Sequence, residues 1–285
     1  MHRTISCYSN CFGPPGVRAA VEGIDEVGLR HVELALKGHD FGGLVIPESA
    51  VVTESTDPET AAAFLGLLRS RRVAVSGCNV GGGDLRTAEG FDLTARRLRF
   101  ARECFGAKVA VTGAGQPGDL AERRSVVASL RKLGDLAEEI GIDLAIETHK
   151  GPTQNADAML ALMDEVDHPR VGLNFDTGNI AYYNRGADPV AELDRVKHLV
   201  RSVHLKDNRG GFEDWYFPAI GDGGAVDFRR VREVLDGVRF AGPYTIEIEG
   251  IGGEPEPGLE ARRDRVARSV EHLRARGYFE DDGGA

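Results

Sequence analysis

The chain has 285 residues, enough for one large α/β domain or two small ones. Hydrophobic residues make up 41% and charged residues 28%, which supplies the apolar mass for a real core in an ordinary soluble protein. A formal net charge of −10 argues against a nucleic-acid partner, because affinity for a phosphate backbone rests on Lys and Arg neutralising it.

In chain order, short apolar runs of β type alternate with amphipathic stretches whose apolar residues recur at i, i+3 and i+4. The run Arg3 to Tyr8 precedes a helical pattern over Val17 to Val27, and His31 to Leu36 precedes one over Pro58 to Ser70. Arg72 to Cys78 leads to Ala88 to Phe105, and Lys108 to Thr112 leads to Asp119 to Ile140. Ile142 to Thr148 is followed by Ala156 to Val166, and Arg170 to Asp176 by Pro189 to Leu199. Arg201 to Lys206 comes before Asp227 to Leu235, and Tyr244 to Glu249 before Leu259 to Arg276. Asp57-Pro58 and Asp188-Pro189 are helix starts in which Asp caps and Pro occupies the first turn.

Strand–helix alternation implies parallel strands joined by crossovers. Eight such units in 285 residues fit a single (β/α)₈ TIM barrel, which needs about 250 residues. A doubly wound open sheet is the rival, but it would spread groups at successive strand ends along a line, whereas a closed barrel brings them to one point. No linker or composition break divides the chain, so residues 1–285 are expected to form one domain, with 277–285 as a flexible tail. Residues 1–6 carry no long apolar run and nothing resembles a signal peptide or a membrane span, so a cytoplasmic location without a membrane partner is expected. Cys7, Cys11, Cys78 and Cys104 have no CxxC spacing and are expected to be reduced thiols.

Glu147, Asp176, His204 and Glu247 each fall at the end of an apolar run in the C-terminal half, at the barrel rim where active sites are built. Three carboxylates and an imidazole meeting at one point would repel one another without a divalent cation. The mixed oxygen and nitrogen set suits a fairly hard ion, with Mn²⁺ heading the candidates, then Mg²⁺, and Co²⁺ or Zn²⁺ as alternatives. Glu247 and Glu249 share a face, so the residue pattern leaves the eighth-strand ligand open between them. His149, at i+2 from Glu147, faces the substrate in this reading. Lys206 and Arg209 offer positive charge to a substrate oxygen or phosphate, Trp215 begins an aromatic cluster positioned to cover a sugar, and Glu33 ends the second strand as a substrate or neighbour contact. Segments 37–57 and 207–222 are expected to shape the pocket.

The string Gly113-Ala114-Gly115-Gln116-Pro117-Gly118 fits GxGxxG after a strand. A dinucleotide site also wants an acidic residue ending the next strand, and Glu138 and Glu139 lie inside a helical pattern instead. The segment reads as a glycine-rich loop of the barrel.

Placed on strands five to eight, Ala145-Ile146-Glu147-Thr148-His149, Asn174-Phe175-Asp176-Thr177-Gly178-Asn179, Val203-His204-Leu205-Lys206-Asp207 and Thr245-Ile246-Glu247 resemble the xylose-isomerase-like TIM-barrel superfamily. Ile220-Gly221-Asp222-Gly223-Gly224-Ala225-Val226-Asp227-Phe228 adds to the likeness, which covers the whole chain and is strongest to the sugar phosphate isomerase/epimerase branch. The resemblance implies Glu147, Asp176, His204 and Glu247 as metal ligands, Glu247 being favoured over Glu249 by its spacing from Gly242. Many relatives place a His three residues after the sixth-strand Asp; here that position is Asn179, expected to contact substrate by hydrogen bonds only.

The leading expectation is a metal-dependent isomerase or epimerase of a small-molecule carbohydrate. In it, Glu147 and Glu247 exchange a proton next to a carbonyl through a cis-enediolate, and His149 orients a hydroxyl or acts as a second acid. If His149 instead protonates a group leaving from the β position, the same chemistry becomes that of a lyase or dehydratase. A non-catalytic sugar-binding barrel and a phosphodiesterase of nucleic acid are weaker readings. For oligomeric state, a dimer or tetramer is ordinary for such a fold.

Overall fold

In the computed structural model, residues 3–36 and 52–279 are described. Eight parallel strands close into a barrel: β1 (Ile5–Tyr8), β2 (His31–Ala35), β3 (Ala74–Asn79), β4 (Val109–Thr112), β5 (Asp143–Glu147), β6 (Val171–Asp176), β7 (Val200–Leu205) and β9 (Tyr244–Ile246). β9 returns to β1 through the register Ile5↔Tyr244, Ser6↔Thr245 and Cys7↔Ile246. Between β7 and β9 comes a short strand β8 (Tyr216–Phe217), which pairs antiparallel with β10 (Gly250–Ile251) as a separate two-stranded ribbon.

The helices are α1 (Gly16–Gly23), α2 (Pro58–Arg71), α3 (Ala88–Phe105), α4 (Leu120–Ile140), α5 (Ala156–Val166), α6 (Thr177–Tyr183), α7 (Pro189–Val196), α8 (Phe228–Gly237) and α9 (Leu259–Ala275). Their ends follow local chemistry. Asp57 accepts from Thr60 N ahead of Pro58, Asp188 accepts from Val190 N ahead of Pro189, and Asp119 accepts from Ala121 N and Glu122 N. Arg72 ends α2 in the left-handed region at φ 54°, so β3 starts at Ala74, two residues later than the apolar run begins.

The main core lies between barrel and helices, where Val32, Leu34, Ile146, Leu173, Phe175, Val203 and Leu205 pack with residues such as Leu98, Leu130, Leu133 and Leu162. Strands covered on both faces read as apolar runs for this reason. Inside the barrel, Val109, Val111 and Ala145 form a small apolar cluster of their own. Polar pairs fill the rest of the interior: Ser6 Oγ lies 2.6 Å from Ser76 Oγ, and Ser202 Oγ donates to Asn174 Oδ1 at 2.7 Å. No helix among the described residues is long and apolar enough to cross a membrane.

Five features depart from the expected elements. The first helix stops at Gly23, short of Val27. Helix α6 and the β8–β10 ribbon were not anticipated, and β9 ends at Ile246 because the chain then turns its carboxylates into the barrel mouth. The expected tail does not begin at 277: Tyr278 is buried, its hydroxyl donates to Phe228 O at 2.8 Å, and its ring meets Tyr244 edge-on at 5.4 Å. Residues 280–285 and the loop segment 37–51 lie outside the described residues.

Tyr278 therefore closes the helical layer beneath β9. Tyr278→Ala is expected to lower unfolding stability by about 3 kcal/mol or more, read from urea unfolding; a change within experimental error would refute the docking of this segment.

Candidate active site

The strand ends that carry the four singled-out residues meet at the mouth of the barrel. Glu147, Asp176, His204 and Glu247 each direct one ligand atom inward, and these atoms all lie within 4.8 Å of one another. Each is held from behind. Asp176 caps α6, with Oδ1 accepting from Gly178 N and Asn179 N at 2.9 Å, which leaves Oδ2 for the centre. His204 Nε2 sits 3.1 Å from Glu33 Oε1, so its Nδ1 faces inward, 3.3 Å from Glu147 Oε1 and 3.1 Å from Glu247 Oε2. Glu247 Oε1 accepts from Asn10 Nδ2 at 3.0 Å, and Oε2 points to the centre.

Asp176 Oδ2, His204 Nδ1 and Glu247 Oε2 are buried without a well-aligned hydrogen bond. Three inward lone-pair donors in one spot match what a divalent cation requires, so the residues fit a metal. Outer partners that fix ligand rotamers, as Glu33 does for His204, are usual around metal sites.

The electrostatics show the same stress. Burial pushes the Asp176 carboxyl up to about 8, against the pull of Lys206 and reinforced by Glu247. Burial would also raise Glu247, but the Lys206 and His204 cations outweigh it and hold this carboxyl well below the usual range. Burial opposes charge on His204, yet Glu33 and Glu247 raise its imidazole well above its ordinary value.

A cavity of about 700 Å³ opens over this cluster and is lined by Glu147, His149, Asn179, Lys206, Trp215 and Glu247, among others. A comparable cavity of about 610 Å³ at the opposite end of the barrel, near Thr4, Lys108 and Arg201, contains none of the four clustered residues.

Of the residues expected near substrate, His149, Asn179, Lys206 and Trp215 line the cavity. His149 Nε2 is 3.0 Å from the Tyr183 hydroxyl. Asn179 commits its amide donor to Thr148 O at 3.0 Å. Lys206 is buried rather than part of a solvated loop, and its Nζ lies 2.5 Å from Glu249 Oε2. That pairing gives Glu247 the central position and Glu249 the lysine. For Glu33 the neighbour contact of the two expected is the one found, and for Arg209 the expected substrate contact is corrected. Glu33 is fully buried behind His204, held also by Thr245 Oγ1 at 2.9 Å, so it orients the imidazole instead of meeting substrate. Arg209 is not among the residues that line the cavity: its guanidinium pairs with Asp214, Nη2 to Oδ1 at 2.8 Å, and lies over the Tyr216 ring.

Sequence reasoning missed Asn10, Tyr8 and Tyr183. Asn10 lies in a short 3₁₀ turn after β1, with no periodic signal to mark it. Tyr8 ends β1 and stacks on His204, ring centroids 5.7 Å apart. Tyr183 ends α6, whose Asp176-Thr177-Gly178 capping sequence was the available cue.

Residues 21–276 match a family model described as the xylose isomerase-like TIM barrel. An inosose dehydratase from Clostridium beijerinckii is 30% identical over 161 residues, 50% of this chain and 53% of that protein. The chain spans about half the length of the curated relatives it matches. A xylose isomerase-like TIM barrel protein from Mycobacterium smegmatis, solved in complex with magnesium, superposes with a TM-score of 0.72 at 18% identity, covering 97% of this chain and 99% of that one. A D-allulose 3-epimerase from Methylomonas sp. gives a TM-score of 0.73 at 17% identity, covering 96% and 98%. At these identities the structural likeness shows the fold.

Two predictions follow from this geometry. Between Asp176's ordinary value of 3.8 and about 8, the metal-free folded state holds a proton that the unfolded chain releases, so its stability falls as pH rises through that window. A divalent ion needs the carboxylate ionised. Added Mn²⁺ is therefore expected to raise the melting temperature more at about pH 8.5 than at about pH 6.5, by scanning calorimetry; an equal or smaller rise at the higher pH contradicts this. Glu33→Ala, which frees the His204 ring, is expected to weaken Mn²⁺ binding by about 10–100-fold, and unchanged affinity by titration calorimetry would remove its orienting role.

Proposed function

The chain belongs to the xylose isomerase-like TIM barrel family, and from that premise we propose that it is a divalent-metal-dependent lyase that removes water from a keto-polyol or keto-sugar. Glu147, Asp176, His204 and Glu247 are the residues that would hold the ion. When bound, the ion supplies positive charge beside a substrate carbonyl oxygen and so acidifies the neighbouring C–H bond.

The observation that carries the reading is the contrast between the two rim carboxylates. Glu247 is 3% exposed and fixed by Asn10, with Lys206 Nζ 3.5 Å from its inner oxygen. A group held this tightly is a good ligand and a poor proton carrier. The Glu147 side chain is 18% exposed and lines the cavity, with the His149–Tyr183 pair on the same rim. One base open to the cavity beside one acid pair suits elimination, whereas epimerisation needs a proton donor on each face of the carbon.

In the proposed reaction Glu147 takes the proton from the carbon next to the carbonyl. The bond from the β carbon to its hydroxyl breaks, and His149 gives that oxygen a proton so that it leaves as water. The Tyr183 hydroxyl, whose own ionisation burial pushes upward, stays neutral and orients His149, and the proton His149 gives up returns from solvent in the open cavity. Because base and acid follow one another from the end of β5, both reach the substrate from one side. Trp215, packed edge-on against Phe217 at 5.0 Å and Tyr182 at 5.5 Å, presents a rigid wall to the apolar face of a ring. The name of the similar Clostridium protein, an inosose dehydratase, supports this choice.

Epimerisation, the leading expectation from the sequence, becomes the second reading, because Glu147 Oε1 and Glu247 Oε2 flank His204 Nδ1 at 3.3 and 3.1 Å. Mn²⁺-loaded protein in D₂O, given inososes and keto-sugars and read by mass spectrometry, separates the two. The expected product is lighter by one water. A deuterated product of unchanged formula would establish epimerisation or isomerisation instead. Glu147→Gln should abolish proton exchange with the fold retained, and Tyr183→Phe should lower kcat by about 10²-fold; full activity in either variant removes the role assigned to that residue.

A further inference from the structure

Lys206 carries an ammonium into the centre of a site already reserved for a cation. Its side chain is 2% exposed, and Nζ lies 3.5 Å from both Asp176 Oδ2 and Glu247 Oε2. These are two of the three atoms that the protein leaves without hydrogen bonds at the centre. Gly178 presses on its stem, since a Cβ there would stand 2.9 Å from Lys206 Cγ, and Nζ lies 4.4 Å from the centroid of the Phe217 ring. Thr177 Oγ1 accepts from Lys206 N at 3.0 Å and donates to Lys206 O at 2.7 Å. On the cavity side, Glu249 Oε2 holds the ammonium at 2.5 Å.

We propose that Lys206 is a tuning residue of the metal centre: its fixed ammonium shares Asp176 and Glu247 with the divalent ion and lowers the affinity of the four ligands, while Glu249 supplies the counter-charge that keeps binding possible. The inference rests on the four-residue metal reading given above. A charge count supports it. Three carboxylates against a divalent ion leave one negative charge over, and Lys206 cancels it. Like charges a few ångströms apart in a buried site repel strongly. The ion is thus held by a ligand set whose surplus negative charge Lys206 reduces, which would keep it a stronger electron acceptor for a substrate oxygen at the expense of affinity. Glu249, two residues beyond Glu247 on the same face, takes up part of the lysine's charge without joining the cluster.

Metal-free wild type, Lys206→Met and Glu249→Gln are to be titrated with Mn²⁺, free ion being read by electron paramagnetic resonance. Lys206→Met is expected to bind Mn²⁺ about tenfold tighter or more, and Glu249→Gln about tenfold weaker. A packing defect would weaken binding, so tightening on loss of Lys206 cannot arise from damage. Unchanged or weaker binding by Lys206→Met overturns the proposal. If that variant does not fold, Glu249→Gln decides, and affinity equal to or above wild type overturns it. Absence of saturable Mn²⁺ binding by the wild type, or full binding by Asp176→Asn, defeats the four-ligand reading itself and this inference with it, and neither resembles a result confined to Lys206 or Glu249.

Discussion

Everything at the mouth of this barrel answers to one electrostatic constraint: Asp176 and Glu247 are buried within a few ångströms of each other, with Glu147 at their edge. Carboxylates so placed are unstable unless cations meet them. His204, Lys206 and the metal site that these residues outline are three answers to the same demand. The upward push on Asp176 beside the downward pull on Glu247 is what remains when the protein must manage the cluster with its own cations.

The scaffold meets that constraint by spending buried polar groups to fix rotamers. Glu33 would be a costly residue inside a barrel, yet it is satisfied by His204 and by Thr245. Asp207 does similar work for the loop after β7, where its carboxylate accepts from Asn208 N, Gly221 N and Val226 N. The chain can wrap it this closely only because position 224 is glycine; a Cβ there would overlap the carboxylate itself. The Ile220 to Phe228 string is thus a cradle for Asp207, and the ribbon of β8 and β10 follows from it by setting Trp215 against the cavity, with Gly252 N donating to Trp215 O at 2.7 Å.

The barrel was legible because its short apolar runs alternate with amphipathic stretches and its helices carry capping residues, two signals that need no tertiary context. The four converging residues were legible because each breaks an apolar run at an equivalent point. What the sequence withheld depends on partners far away in the chain. Glu33 reads as either a substrate or a neighbour contact until the β1–β2 and β9–β1 pairings place Thr245 and His204 against it. Asn10 and Glu247 are separated by 237 positions, and only barrel closure brings them together. Arg209 looked like an anion binder because the acid that neutralises it, Asp214, sits in the same loop with no regular spacing to announce the pair.

Helix α6 shows how the chemistry of the site can shift by one turn. The resemblance drawn from the sequence leads one to expect a histidine three residues after Asp176, and Asn179 takes that place. Its amide ties α6 to the β5 loop through Thr148 O, next to His149. Residues 179 and 183 stand four apart on the helix, hence on one face, and Tyr183 extends from the next turn to within 3.0 Å of His149 Nε2. An amide hydrogen bond takes the position beside Asp176, and a phenol hydroxyl that burial keeps neutral stands one turn farther out, beside His149.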